Sequence, residues 1–253
     1  MFVGCLPHTL AVRVRMALSG WNSRALVANS AQPLQQGKPL LYTMRFCPFS
    51  ERAVLLVAKK AIDVDIAAIS LVSKPTWYSQ LNPNGSVPTY VDGNGIVYDS
   101  SILVEFLDEI SGEPYVLPKD PLAKARQKLL VESLMKVHGP MHKWWESMDD
   151  ASLLQPYADR LKAFETQLEA SQFLAGAEPG WTDYMAWPWV ERLGILKAAG
   201  HNDLLQPFPR LLAYKASMEA RPEVKAVART GEQHYAHIKS VFVEKQPDYD
   251  IGI

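Results

Sequence analysis

Thr43-Met44-Arg45-Phe46-Cys47-Pro48-Phe49-Ser50-Glu51-Arg52 is the stretch whose reading decides the fold. An apolar run, Pro39 to Met44, leads into it and predicts a short strand. A helical pattern, Ala53 to Ala61, follows. Cys47 therefore falls at the seam between strand and helix. Pro48 suits the first helical turn, where a missing N–H costs nothing. Backbone N–H groups and the helix dipole favour negative charge at that end. The pattern predicts a Cys47 thiolate stabilised below the ordinary cysteine range, with Arg45 and Arg52 acting in the same direction. A free cysteine is more usually a small buried hydrophobe. The seam, the proline and the arginines favour the reactive reading.

Position 50 is Ser50, so the site lacks the resolving sulfur of a C-x-x-C motif. A mixed disulfide formed on Cys47 must wait for an outside thiol, which is the logic of a thiol-dependent transferase. The only other cysteine is Cys5. Two cysteines make neither a disulfide framework nor a metal quartet, and they fit a reducing compartment. With 253 residues, 48% apolar and a net charge of −1, the composition is ordinary for a globular chain and offers no nucleic-acid signal. No uninterrupted apolar run approaches the roughly 18 residues of a spanning helix.

Around the seam, strands and helices alternate. Leu40–Met44 and Val64–Leu71 read as strands separated by a helix over Pro48–Ala61. Val87–Val91 is a strand entered through Pro88, Asp92-Gly93-Asn94-Gly95 a hairpin turn, and Ile96–Tyr98 the returning strand. Asp99-Ser100 caps a helix running to Ile110. This βαβ unit, hairpin and helix predict a thioredoxin-like α/β domain over residues 37–110. Residues 111–121, rich in proline, read as a linker, and 122–253 as an all-α domain. In that part, Leu122–Trp145 and Thr182–Ala199 are expected to be long helices. Residues 1–36 contain Arg13, Arg15 and Arg24 and no acid; the first acid is Glu51. They are expected to lie outside the fold, as a disordered leader, a transit-like segment or an extension ahead of Met16. The compartment expected is the cytoplasm, or the mitochondrion if the leader is a transit peptide.

Three further elements surround the thiol. A cis proline after Val87 would turn the Val87 N–H and C=O outward, ready to pair with an extended peptide. The Ser100 N–H and hydroxyl can hold a carboxylate. Lys74 precedes Pro75 as a second cation. Singly, these are an ordinary strand proline, a helix cap and a solvated lysine. Together they suit a small anionic peptide with a thiol, and glutathione fits: its cysteine on Val87, its γ-glutamyl carboxylate on Ser100, its glycine carboxylate on Lys74. Aromatics Trp181, Tyr184 and Trp187 are assigned to the core. His138, His142, His234 and His237 lack acidic or sulfur partners in the same pattern and receive no metal role.

The segment Met44–Arg52, with Lys74-Pro75-Thr76-Trp77, Asn82-Pro83, Val87-Pro88, Asp183-Tyr184, Trp187-Pro188-Trp189-Val190-Glu191-Arg192-Leu193 and Pro247-Asp248-Tyr249, resembles the omega class of glutathione transferases. The resemblance implies a catalytic Cys47 and glutathione held by Phe49, Leu71, Lys74, Val87, Pro88, Asp99 and Ser100. It implies an acceptor pocket touching Trp189, Arg192 and Tyr214, and a homodimer. The implied activity is a glutathione-dependent thioltransferase or reductase working through a Cys47–glutathione disulfide, on dehydroascorbate or methylated arsenicals. Three positions depart from the class: Asp99 stands for the usual Glu, Tyr214 for Trp, and Gly180 for a Ser or Thr cap. The Cys-Pro-Phe-Ser segment is also similar to the intracellular chloride-channel proteins, but Lys59, Lys60, Asp63 and Asp65 break the apolar stretch that insertion requires. A non-catalytic ligand carrier is the remaining alternative.

Overall fold

The computed structural model describes residues 18, 20–35 and 37–253. Strand β1 (Leu40–Thr43) is wholly buried, in keeping with its unbroken apolar sequence. Helix α1 (Pro48–Lys60) follows and closes at Ala61, whose left-handed backbone ends it. Strand β2 (Asp65–Ala68) returns parallel to β1. A short helix, α2 (Tyr78–Leu81), leads to the hairpin β3 (Thr89–Asp92) and β4 (Gly95–Tyr98). The sheet order is β2-β1-β3-β4, with β3 antiparallel to both its neighbours. Helix α3 (Ser100–Ile110) is capped by Asp99, whose Oδ1 accepts from the N–H groups of Ser101 and Ile102. This is the expected thioredoxin-like arrangement.

The remainder is helical: α4 (Pro121–Leu134), α5 (His138–Glu146), α6 (Leu154–Gln167), α7 (Trp181–Glu191), α8 (Gly194–Ala198), α9 (Pro209–Glu219), α10 (Pro222–Val227) and α11 (Gly231–Ile238). Two expected long helices are each divided. The first breaks into a 3-10 turn at Met135–Val137. Pro140 sits one turn beyond, has no N–H to donate and crowds the preceding turn. The second stops at Arg192, and Gly194 opens the next helix against Gly231; a Cβ on Gly194 would lie 2.8 Å from the Gly231 Cα. The strand expected over Val64–Leu71 is only four residues, extended by a bridge at Ile69.

Helix α7 is buried along its whole length. Its apolar sequence all round anticipates this. Gly180 supplies no side chain at its N-terminus, and Asp183 takes over the capping. The Asp183 carboxylate accepts from the N–H groups of Leu174 (2.8 Å), Ala175 (3.0 Å) and Gly180 (2.9 Å).

One expectation is overturned. Residues 1–36 are not wholly outside the fold. Trp21 is 2% exposed, and its Nε1 donates to the Val227 carbonyl at 3.3 Å. Leu26 pairs with Ile69 as a parallel bridge, donating to Ala68 O at 2.8 Å and accepting from Ser70 N at 2.9 Å. Ser30 O accepts from Trp77 Nε1 at 2.8 Å. Burying an indole and closing backbone hydrogen bonds outweigh the low local periodicity that marked this segment as a leader. Of residues 1–36, read as a disordered or transit-like leader, residues 1–17, 19 and 36 lie outside the described residues.

Candidate active site

Cys47 is the N-cap of α1 and has extended backbone (φ −78°, ψ 118°). Its carbonyl accepts from Glu51 N at 3.0 Å, so the first helical turn closes on the cysteine itself. The Ser50 hydroxyl, buried beneath, accepts from Met44 N at 3.2 Å and ties strand end to helix start. The Val87–Pro88 peptide is cis, and Cys47 Sγ lies 4.0 Å from the Val87 carbonyl oxygen, the outer limit of an S–H···O contact. Cys47 and Val87 belong to one apolar cluster, with Phe49 and Leu71 packed against it. Four residues expected at a common site are thus brought together.

The expected fall in the Cys47 pKa is not met. Burial pushes the thiol up; hydrogen bonds from Ser50 and Phe49 and the charge of Arg192 oppose it without reversing it. The two arginines read as its partners point elsewhere. Arg45 donates to the Tyr249 carbonyl at 3.2 Å. Arg52 donates to Met185 O at 2.8 Å and to Ser100 Oγ at 3.0 Å, and lies over the Trp189 ring at 4.5 Å. The Ser100 hydroxyl accepts from Arg52 and keeps its proton to donate, while only the Oδ1 atom of Asp99 serves the α3 cap. Lys74 is exposed, with its ammonium beside Gly85.

Trp189, Arg192 and Tyr214, expected to line an acceptor pocket, are buried side chains. Each is 2% exposed or less, and each lies in different surroundings. Trp189 packs edge-on to Phe49 (5.2 Å between centroids) and donates from Nε1 to His138 Nδ1 at 3.2 Å. Tyr214 sits against Phe173. Arg192 Nη2 donates to the Phe46 carbonyl at 2.9 Å, and Nη1 to Glu51 Oε2 at 2.7 Å and to the Pro188 carbonyl. A planar fork serves several acceptors at once, which suits a buried arginine to a structural tie.

Around that tie lies a set of residues sequence reasoning missed. His234 Nε2 meets Glu191 Oε2 at 2.7 Å, and Glu191 Oε1 accepts from Arg229 N at 3.1 Å. Glu51 and Glu191 are both buried, and burial together with the charge of Glu191 raises Glu51 from 4.5 to about 7. Burial drives His234 well below its ordinary value and His237 to about 4. His237 stacks on Phe46 at 4.3 Å, closing the other face of the residue before Cys47. The available signal was the adjacent pair Glu191-Arg192 ending an otherwise apolar run; charges there must be paired.

A monothiol at the first helix of a thioredoxin-like domain, roofed by a helical domain, defines a glutathione transferase architecture. The family models agree: the glutathione S-transferase N-terminal domain matches residues 41–115 and the C-terminal domain residues 152–214. Glutathione S-transferase omega-1 of Mus musculus is 32% identical over 91% of this chain and 98% of its own. Glutathione transferase omega-1 of Caenorhabditis elegans is 30% identical over 94% and 100%. A pyrimidodiazepine synthase of Drosophila melanogaster is 32% identical over 91% and 97%. In fold, the chain is similar to glutathione transferase Omega 3C of Trametes versicolor, with a TM-score of 0.72, 23% identity and 94% and 97% of the two chains covered. The chain belongs to the omega class of glutathione transferases, enzymes whose co-substrate is glutathione. No helix among the described residues is long and apolar enough to cross a membrane, and no group of three or more His, Cys, Asp or Glu among them could hold a metal.

Proposed function

We propose that this transferase is a glutathione-dependent thioltransferase and dehydroascorbate reductase, with Cys47 as its nucleophile. The carrying observation is a single sulfur 4.0 Å from the Val87 carbonyl oxygen, with Ser50 where a resolving cysteine would stand. In the first step, the Cys47 thiolate attacks the glutathione sulfur of a mixed disulfide. The Cys47–glutathione bond forms as the old S–S bond breaks, and the partner leaves as a thiolate. A second glutathione thiolate then attacks the bound glutathione sulfur, giving glutathione disulfide and free Cys47. With dehydroascorbate, two glutathiones supply the electrons and ascorbate is released. Methylated arsenicals are acceptors of the same two-electron kind.

Glutathione would lie along Val87 and Pro88, over Phe49 and Leu71, with Lys74, Asp99 and Ser100 at its charged ends. We place the enzyme in the cytoplasm and read it as a homodimer. Exposed Ile102 on α3 and Leu129 on α4, 61% and 69% exposed, are apolar surface that a second copy would cover. Light scattering on the purified protein tests that assembly.

The test of the chemistry is intact mass after exposure to glutathione disulfide. One glutathione adduct is expected on the wild type, lost in Cys47→Ala and reversed by excess glutathione. An unmodified wild type, or a Cys47→Ala variant retaining full thioltransferase turnover, overturns the proposal.

A further inference from the structure

We propose that Arg192 is the positioning residue of Cys47, holding the Phe46 carbonyl so that the sulfur stays over the N-terminus of α1. The inference deepens the function proposed above and rests on Cys47 as its nucleophile.

Three observations carry it. First, the fork of Arg192 grips the segment on both sides of the cysteine: Nη2 reaches Phe46 O, one residue before it, and Nη1 reaches Glu51, in the first turn after it. Second, the arginine is 2% exposed and cannot wander. Its third acceptor, the Pro188 carbonyl, is in its own helix, so its guanidinium plane is set from within the helical domain. A proline at 188 cannot donate, but its carbonyl is free to accept. Third, Glu51, Glu191 and His234 surround the arginine in a buried chain, which keeps the cation in place. By gripping both flanks of one cysteine, Arg192 fixes that segment, and the sulfur it carries, against the helical domain.

Several charged or titratable groups face this pair. Arg52 on α1, Tyr78 on α2 and Arg192 are coupled to the Cys47 charge. Arg192 itself faces Glu51, Glu191, His234 and, further along, Arg229. Arg192 is therefore the cation that the helical domain contributes to the thiol.

The test is the rate of Cys47 alkylation by iodoacetamide between pH 7 and 9, in wild type, Arg192→Lys and Arg192→Met, with melting curves for each. Below the thiol midpoint the rate follows the thiolate fraction, so each unit of pKa shift changes it about tenfold. Arg192→Lys keeps the charge but loses the fork, and its rate is expected to fall about threefold. Arg192→Met is expected to fall about tenfold. Should Arg192→Met not fold, the lysine variant alone decides. A purely structural arginine predicts the opposite sign, because a loosened segment exposes the buried sulfur and speeds alkylation. An unchanged or faster rate in folded Arg192→Lys overturns the inference. Alkylation reads the thiolate without glutathione, so this result stands apart from the adduct experiment on the function.

Discussion

Arg192, in the helical domain, donates from Nη2 to the carbonyl of Phe46, 2.9 Å away and one residue ahead of Cys47. Two turns earlier in the chain, on α7, Met185 O accepts from Arg52 at 2.8 Å. Two buried arginines, pointing in opposite directions, thus fasten α1 to α7 across the domain boundary. Separating the domains would break the hydrogen bonds from Arg192 to Phe46 and Glu51 and from Arg52 to Met185, leaving each arginine only the acceptors in its own domain, Pro188 O and Ser100 Oγ. Loss of tryptophan burial and exposure of Cys47 are therefore expected to coincide in urea. Fluorescence and thiol-labelling curves with different midpoints would refute this coupling.

Ser50→Cys converts the monothiol into a dithiol. Position 50 is fully buried beneath Cys47, and a sulfur there is nearly isosteric with the hydroxyl. Glutathione disulfide is then expected to yield an internal disulfide between Cys47 and the introduced thiol, with a mass lower by one hydrogen molecule, in place of a lasting adduct. A persistent adduct on this variant would show that the two side chains cannot meet.

Glu51 makes stability depend on pH. Its folded value of about 7 exceeds its ordinary 4.5, so between those limits the native state holds a proton the unfolded chain has lost. Folding stability contributed by the neutral form is thus lost as pH rises through the window. His237, lowered to about 4, has the opposite slope between about 4 and its ordinary 6.5. It is present in wild type and in Glu51→Gln alike and cancels in their difference. The stability of Glu51→Gln relative to wild type is expected to rise between pH 4.5 and 7, by up to about 3 kcal/mol. Urea titrations at both ends check this, and a flat difference would place Glu51 at an ordinary pKa.

Trp21→Ala should cost about 3–5 kcal/mol, as loss of a buried aromatic does. At the roughly 2–4 °C per kcal/mol expected for a chain of this size, the melting temperature should drop by about 10 °C. A change under about 2 °C would return this segment to the surface.

Much of the thioredoxin-like domain was legible because each element had its own signal: an apolar strand, a proline at the helix start, a turn at Asp92–Gly95, a cap at Asp99. The Cys47–Val87 approach was legible from the same local chemistry. Arg45 turns away to Tyr249, and Arg52 spends its hydrogen bonds on Met185 and Ser100 while its charge still acts on Cys47, because sequence proximity does not say where a long side chain turns once tertiary acceptors exist. Arg192, 145 residues from Cys47 by the numbering, could be read only as a pocket candidate. Its true acceptors are a carbonyl and a carboxylate that only the packing of α7 on α1 brings near. Trp21 was lost to an acid-free composition, which describes a segment but not its destination.

The bridge between Leu26 and Ile69 covers the C-terminal end of one of the sheet's two margins. Strand β2 is outermost on its side, and the residues that pass it occupy backbone groups that a strand from another molecule would need. Removing residues 18–35 would uncover them and create a template for edge-to-edge association. The segment thus acts as a guard against aggregation as well as a source of burial, and β4 remains the margin at which self-association would begin.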